Sequence, residues 1–422
     1  MIRVCDAIMG TGKSSAAITY MNEHKDEKFV YITPYLDEAA RIKEGCPELN
    51  FIEPSDKIEE YHFTKREHTA ALIAEGRNVA TTHQSFKMYS DETLADIRRQ
   101  GYTLIIDENM DVLKRYDCSN EDIRIAVAQG YVSEDDGVYS LARDDYTGLV
   151  FSELFSFMRN RDLIRLEGPG RDGRMEHLFY WVLPADLITS FKDTFILTYL
   201  FEGQSLYHFL KIYDLDYEYI GIELREDGTY AFGEAPGYIP EYVSRLDKMI
   251  HIVDKSKLNE IGDDNFALSM SWYENNEEGV AQLKANVYNC INNIWRDAPA
   301  ERKLCGAFNK YNNKIKGKGY TKSFLTFNAR ATNAYRNREY LTYLVNIFMN
   351  VSERRFYEKY GAIVDEEKYA LSIMVQWIWR SAIRDGVEIY IYIPSRRMRE
   401  LLIDWIETTS EGGTNAIGPQ KM

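Results

Sequence analysis

The stretch Ala7-Ile8-Met9-Gly10-Thr11-Gly12-Lys13-Ser14 carries two glycines, then a lysine and a hydroxyl, directly after an apolar run that ends at Asp6. That spacing suits phosphate binding. Small residues let consecutive backbone N–H groups turn inward around oxygen atoms, and a helix over Ser15–Asn22 would add the positive end of its dipole. The pattern G-x-x-x-x-G-K-[ST] is met except at its first position, where Ala7 stands. Gly10, Thr11, Gly12, Lys13, Ser14 and Ser15 are therefore the candidate nucleotide-binding residues. In this pattern Lys13 reaches the β- and γ-phosphates and the Ser14 hydroxyl ligates Mg²⁺.

A second constellation supplies carboxylates. Leu104-Ile105-Ile106-Asp107-Glu108 is an apolar run closed by two acids. In a nucleotide hydrolase the first acid holds Mg²⁺ and the second polarises the attacking water. Asp107 fits the metal role beside Ser14, and Glu108 fits the role of base. Together the two motifs predict a Mg²⁺-dependent nucleotide hydrolase. No N/T-K-x-D motif is present to read guanine.

These groups need a scaffold that sets them on one edge. Short β-rich runs alternate with helical patterns, the signature of a parallel sheet covered on both faces, whose ligands sit beyond the carboxyl ends of the strands. Strands are expected at Ile2–Asp6, Lys28–Thr33, Asn78–Thr82, Thr103–Asp107 and Thr194–Thr198. The segment 116–175 breaks the rhythm with acidic and glycine-rich stretches and reads as an insertion with a helix over Leu149–Asn160. A second alternation predicts strands at Tyr217–Leu224, Met249–Asp254, Phe266–Met270, Ser323–Phe327 and Val387–Ile393. Helices are expected there at Glu278–Asp297, Tyr340–Phe348, Lys368–Ile383 and Arg397–Ile406. The expected fold is α/β, with two RecA-like parallel-sheet lobes, 1–205 and 206–410, an inserted helical segment in the first, and a flexible tail at 411–422.

Further motifs resemble superfamily 2 helicases of the DEAD/DEAH-like kind, particularly divergent replication-type members carried by bacteriophages. Tyr31-Ile32-Thr33-Pro34-Tyr35 is similar to motif Ia, and Ala80-Thr81-Thr82-His83-Gln84-Ser85-Phe86 to the motif that follows it. Leu197-Thr198-Tyr199-Leu200 occupies the place of motif III. Thr326-Phe327-Asn328-Ala329-Arg330-Ala331-Thr332-Asn333 resembles motif V, and Gln376-Trp377-Ile378-Trp379-Arg380-Ser381-Ala382-Ile383-Arg384 resembles motif VI. Motif II departs from the pattern with Asn109-Met110 after the two acids, and motif VI has Trp379 where glycine is usual. The resemblance implies ATP as the nucleotide, Arg380 and then Arg384 as the arginines delivered by the second lobe, and nucleic-acid contacts from Thr33, Pro34, Thr82 and His83. It also implies an ATP-dependent helicase or translocase acting in phage DNA replication or recombination.

With 51 Lys and Arg against 66 Asp and Glu, the net charge of −15 argues against coating nucleic acid by overall charge. A local track remains open. Lys314-Ile315-Lys316-Gly317-Lys318-Gly319-Tyr320-Thr321-Lys322 interleaves lysines, glycines and an aromatic, so Lys316 and Lys318 could neutralise phosphates while Tyr320 stacks on a base. Arg330, Arg336 and Arg338 follow, and Arg396, Arg397 and Arg399 make a third cluster. The expected partner is single-stranded or forked nucleic acid, DNA before RNA, with replication proteins beside it. Five cysteines without a CxxC pair give neither a disulfide framework nor a zinc cluster. No apolar run is long enough for a membrane span, so a cytoplasmic location, that of the host for a phage protein, is expected. Two other functions fit the same residues: an ATP-switched DNA-binding loader that does not unwind, and a terminase-type packaging ATPase. The second would need metal-binding acids in the second lobe, for which Asp254 and Asp365-Glu366-Glu367 are the candidates.

Overall fold

The structure, a computed structural model, describes residues 1–56, 64–159, 161–169, 175–329 and 334–412. Its strands are β1 (Ile2–Asp6), β2 (Phe29–Thr33), β3 (Val79–Thr82), β4 (Thr103–Asp107), β5 (Leu113–Tyr116), β6 (Val132–Asp135), β7 (Val138–Leu141), β8 (Leu163–Pro169) and β9 (Met175–Val182). They continue with β10 (Asp193–Thr198), β11 (Tyr217–Leu224), β12 (Tyr230–Glu234), β13 (Ile250–Ile252), β14 (Lys303–Ala307), β15 (Phe324–Thr326), β16 (Tyr340–Tyr343) and β17 (Ile389–Tyr392). The helices that position the site are α1 (Lys13–Glu23), α2 (Leu36–Gly45), α3 (His83–Phe86), α4 (Ser152–Met158), α5 (Ser205–Ile212), α6 (Glu277–Asn289), α7 (Val351–Lys359), α8 (Glu366–Ile378) and α9 (Arg396–Ser410).

The first lobe is a seven-stranded sheet in the order β12-β11-β1-β10-β4-β2-β3, parallel except where β12 turns back on β11. β2 and β4 are buried at every position, as expected of strands covered on both faces. All five strands expected in this half form. β11 was expected in the second lobe but pairs with β1, Ile2 beside Tyr217. α5 is the crossover that returns the chain to the free edge of β1, and no sequence signal marks which sheet a strand after such a crossover joins. The first sheet thus reaches Glu234, past the expected boundary at 205.

The insertion is a five-stranded antiparallel sheet, β5-β9-β8-β7-β6, running from Leu113 to Val182. It is wider than the expected 116–175, and among the described residues sheet dominates over two helices, Asn120–Ala128 and α4. Short half-exposed strands such as β6, with three of four residues exposed, carry too little apolar alternation to stand out.

The second lobe is an all-parallel sheet, β13-β17-β16-β14-β15. Here Tyr340–Phe348, expected as a helix, holds strand β16, β14 went unread, and Phe266–Met270 is a turn into a helix at Met270–Asn275. A central parallel strand is one continuous apolar run, which periodicity does not separate from a buried helix. α8 ends at Ile378, before the expected Ile383. Glu411 and Gly412 close α9, and the rest of the expected tail, 413–422, lies outside the described residues.

The lobes are fastened together at several points. Phe356 and Tyr357 of α7, a second-lobe segment by position in the chain, are buried in the core of the first lobe and the insertion. Lys368 of α8 pairs with Glu202, and Trp405 Nε1 of α9 donates to the Tyr199 hydroxyl at 3.1 Å.

Candidate active site

The glycine-rich loop leaves β1 and enters α1 through Gly12, whose φ of +89° lies in the left-handed region. A Cβ there would sit 2.4 Å from the ring of Tyr230, so both backbone and space demand glycine. Lys13 folds its ammonium back onto the carbonyl oxygens of Ala7 and Ile8. Burial pushes that ammonium below its ordinary pKa, against the pull of nearby acids that include Asp107 and Asp6. Thr11 is buried and its hydroxyl donates to the Ile8 carbonyl at 2.8 Å, so its side chain braces the loop from within and does not line the cleft. Gly10, Gly12, Lys13, Ser14 and Ser15 do line it.

β10 separates β1 from β4 and brings the acids to the mouth of the same edge. Asp107 Oδ2 accepts from the Ser14 hydroxyl at 3.2 Å and from the Tyr31 hydroxyl at 2.6 Å. Burial raises its carboxyl to about 6, partly offset by the Tyr31 hydrogen bond. Ser14 and Asp107 thus present a hydroxyl and a carboxylate side by side, hard oxygen donors that suit Mg²⁺. Glu108 has a φ of +64°, uncommon for a residue with a Cβ and costly by roughly 1–3 kcal/mol. This turn aims it across the cleft, where its Oε1 accepts from Arg380 Nη2 at 2.8 Å.

Arg380 and Arg384 both line the cleft, each from its own turn. Arg380 lies in the turn after α8, and Arg384 in a single 3₁₀ turn, Ala382–Asp385. Burial lowers the pKa of Arg384, and the charges of Arg380 and Arg336 lower it further. Arg336 also lines this cavity, paired with Asp385. The cleft encloses about 380 Å³ between the lobes.

A second cavity of about 690 Å³ runs alongside, lined by Pro34, His83, Lys87, Asn109, Lys114, Gln204, Thr326 and Asn328 among others. Pro34 and Gln376 line both cavities. Of the residues expected on nucleic acid, Pro34 and His83 face this groove, and His83 Nε2 lies 2.9 Å from the Asp107 carbonyl oxygen. Thr33 is fully buried and lines the first cleft, and Thr82 caps α3 by accepting from Ser85 N at 3.3 Å. Lys316 and Lys318 line neither cavity, and Tyr320 is core, its hydroxyl bound to the Ile315 carbonyl at 3.0 Å. Arg330, with Ala331 to Asn333, lies outside the described residues. Arg338, Arg397 and Arg399 are spent on backbone carbonyls of their own lobe, which charge spacing alone does not reveal. Asp254 is exposed, and Asp365 caps α8 by accepting from Glu367 N and Lys368 N at 3.0 Å each, so the acids sought for a nuclease stand apart.

Sequence reasoning missed three residues, Tyr230 in the cleft wall and Tyr31 and Asp6 behind it. Tyr31 sits in a strand that reads as core; only its hydroxyl reaches the acid. Tyr230 comes from the β11–β12 hairpin, with no motif to mark it. Asp6 is buried at the root of the loop, its carboxyl raised to about 6 by burial, with Oδ2 accepting from Phe201 N at 3.1 Å and Oδ1 buried without a partner; it was read only as the end of a strand.

The solved structures that resemble this fold include an apo XPD protein, at 10% identity and a TM-score of 0.46 over 96% of this chain and 95% of that one. Another is S. tokodaii Xpd4, at 11% identity and the same score over 96% and 93%. Residues 244–406 match the model for the YonV C-terminal Rossmann-like domain. The SPbeta prophage-derived protein YonV of Bacillus subtilis (strain 168) is 35% identical over 418 residues, 96% of this chain and 98% of that protein. At that identity over essentially the whole length of both proteins, this chain belongs to the YonV family.

Proposed function

We propose that this chain is a Mg²⁺-dependent ATP hydrolase that moves along single-stranded or forked nucleic acid, as a translocase or helicase. The observation that carries the reading is the contact of Arg380 with Glu108 across the interlobe cleft, beside Lys13, Ser14 and Asp107. Backbone N–H groups of the loop and the Lys13 ammonium would hold the β- and γ-phosphates. Ser14 and Asp107 would hold Mg²⁺, which when bound offsets phosphate charge. Glu108 orients and deprotonates the attacking water. Arg380, released from Glu108, stabilises charge on the γ-phosphoryl oxygens as water adds and the bond to the bridging oxygen of the leaving ADP breaks.

Because the arginine comes from one lobe and the base from the other, hydrolysis is tied to how the lobes sit. The adjoining groove, lined by both lobes, is where a single strand would feel that tie. DNA is the proposed track, with replication or recombination as the setting. The test is ATP turnover with and without single-stranded DNA, followed by strand separation. Lys13→Ala should remove DNA-stimulated hydrolysis with folding intact, and normal turnover in that variant would sink the assignment. Stimulated hydrolysis without strand separation would move the reading to a loader.

A further inference from the structure

Arg161 stands between α4 and β8 and is only 6% exposed. Its guanidinium carbon lies 5.3 Å from the ring centroid of Phe157 and 5.2 Å from that of Trp181. Nη2 points at Met88 Sδ at 3.0 Å, and Nε is buried without a hydrogen-bond partner. Burial lowers its pKa to about 10, and the neighbouring charge that acts on it is Arg66, a second cation. Arginine is rarely buried unless an anion meets it. Ring faces supply part of what is missing, but an oxyanion meets the donor fork far better.

Two more cations neighbour Trp181. Lys87 Nζ lies 5.6 Å from the Trp181 ring, and Lys114 is the direct cross-strand neighbour of Trp181, on the same face of the sheet. Lys87 and Lys114 line the interlobe groove where it meets the inserted sheet, and Arg161 and Trp181 lie directly behind them. Arg161 and Lys87 stack on one ring, and Lys114 stands across the strand pair from it. Such an arrangement suits a polyanion that threads past with successive phosphates, more than one small anion.

We infer that Arg161, Lys87 and Lys114, gathered around Trp181, form a phosphodiester subsite that holds a single nucleic-acid strand on the insertion as it leaves the groove. This rests on the nucleic-acid reading proposed above and gives the inserted sheet a task within it. Phosphate oxygens fall to the cations, so the contact is indifferent to base sequence.

The test measures binding of oligothymidylate and oligouridylate, long enough to cross both lobes, to the full chain across a salt series. Each cation that meets a phosphate adds about 0.7 to the slope of log affinity against log salt. Lys114→Gln and Arg161→Gln should each lower the slope by about that much and weaken binding about three-fold at low salt. Arg161→Lys should keep the slope. Melting temperatures are read alongside, and Lys114, being exposed, carries the test if Arg161→Gln fails to fold. A full slope in Lys114→Gln overturns the subsite, whatever Arg161→Gln does, and a loss confined to Arg161→Gln with a lowered melting temperature makes Arg161 a structural stack. If the unaltered chain binds neither oligonucleotide, the nucleic-acid reading falls and the subsite with it.

Discussion

The two cavities between the lobes share Pro34 and Gln376 yet are built on different principles. In the first cleft each of three acids has a close partner: the Ser14 and Tyr31 hydroxyls on Asp107, Arg380 on Glu108, Arg336 on Asp385. The groove is the larger, about 690 against 380 Å³, and its walls mix neutral polar groups such as Asn109, Gln204 and Asn328 with the lysines 87 and 114. A small, highly charged ligand is best met by groups already in place, because their reorganisation would cost more than the contact returns. A flexible chain needs a path whose walls tolerate many bases.

The comparison breaks first at the cleft. Arg380→Ala should lower ATP turnover by about 10³-fold or more, the scale of an arginine delivered to a phosphoryl group. Turnover within a few-fold of the parent would show that the matched pair is only a lobe-fastening contact. Next in size is a stability effect behind the groove. His208 is fully buried, stacks near Tyr357 with ring centroids 4.9 Å apart, and both its ring nitrogens lack hydrogen-bond partners. Burial lowers its pKa from 6.5 to about 4, so the folded state binds fewer protons than the unfolded state between those values. The stability it contributes is present above about 6.5 and is lost as pH falls towards 4, by roughly 3 kcal/mol in all. Denaturant titrations of His208→Phe should lack that acid slope; an unchanged slope would assign acid loss to other groups.

A smaller effect sharpens the link between cavities. Gln376→Ala should cut the ratio of ATPase rates with and without oligothymidylate about ten-fold, a coupling of ordinary size. An unchanged ratio would mean that the cavities communicate by another route. The smallest effect belongs to the lysines outside both cavities. Lys316→Gln and Lys318→Gln should change oligonucleotide affinity less than about two-fold, as surface charges away from the track do. A larger loss would put the strand on the far side of the second lobe.

How much was readable from the residues differs between the same two places. The loop from Gly10 to Ser14 and the pair Asp107–Glu108 are runs of adjacent residues whose backbone geometry does the positioning, so their spacing is visible in one dimension. The first four strands of the chain are readable for a related reason: short, β-branched and apolar, each closes at a polar residue. The groove draws on segments near 34, 83, 109, 204, 326 and 376, and no spacing rule joins them. Charge counting fared worst. The arginines near 397 and the aromatic at 320 look like a track in sequence, but carbonyl oxygens and core packing claim them.

By itself the sequence determined the phosphate loop, the acid pair and the strands that carry them, because local backbone demands and apolar patterning act between near neighbours. Only the tertiary structure decided which lobe β11 joins, that the insertion is a sheet, that Arg380 meets Glu108, and which cations face a groove. Those outcomes depend on packing between segments far apart in the chain, where burial and the matching of charges select among arrangements that the local pattern leaves equal.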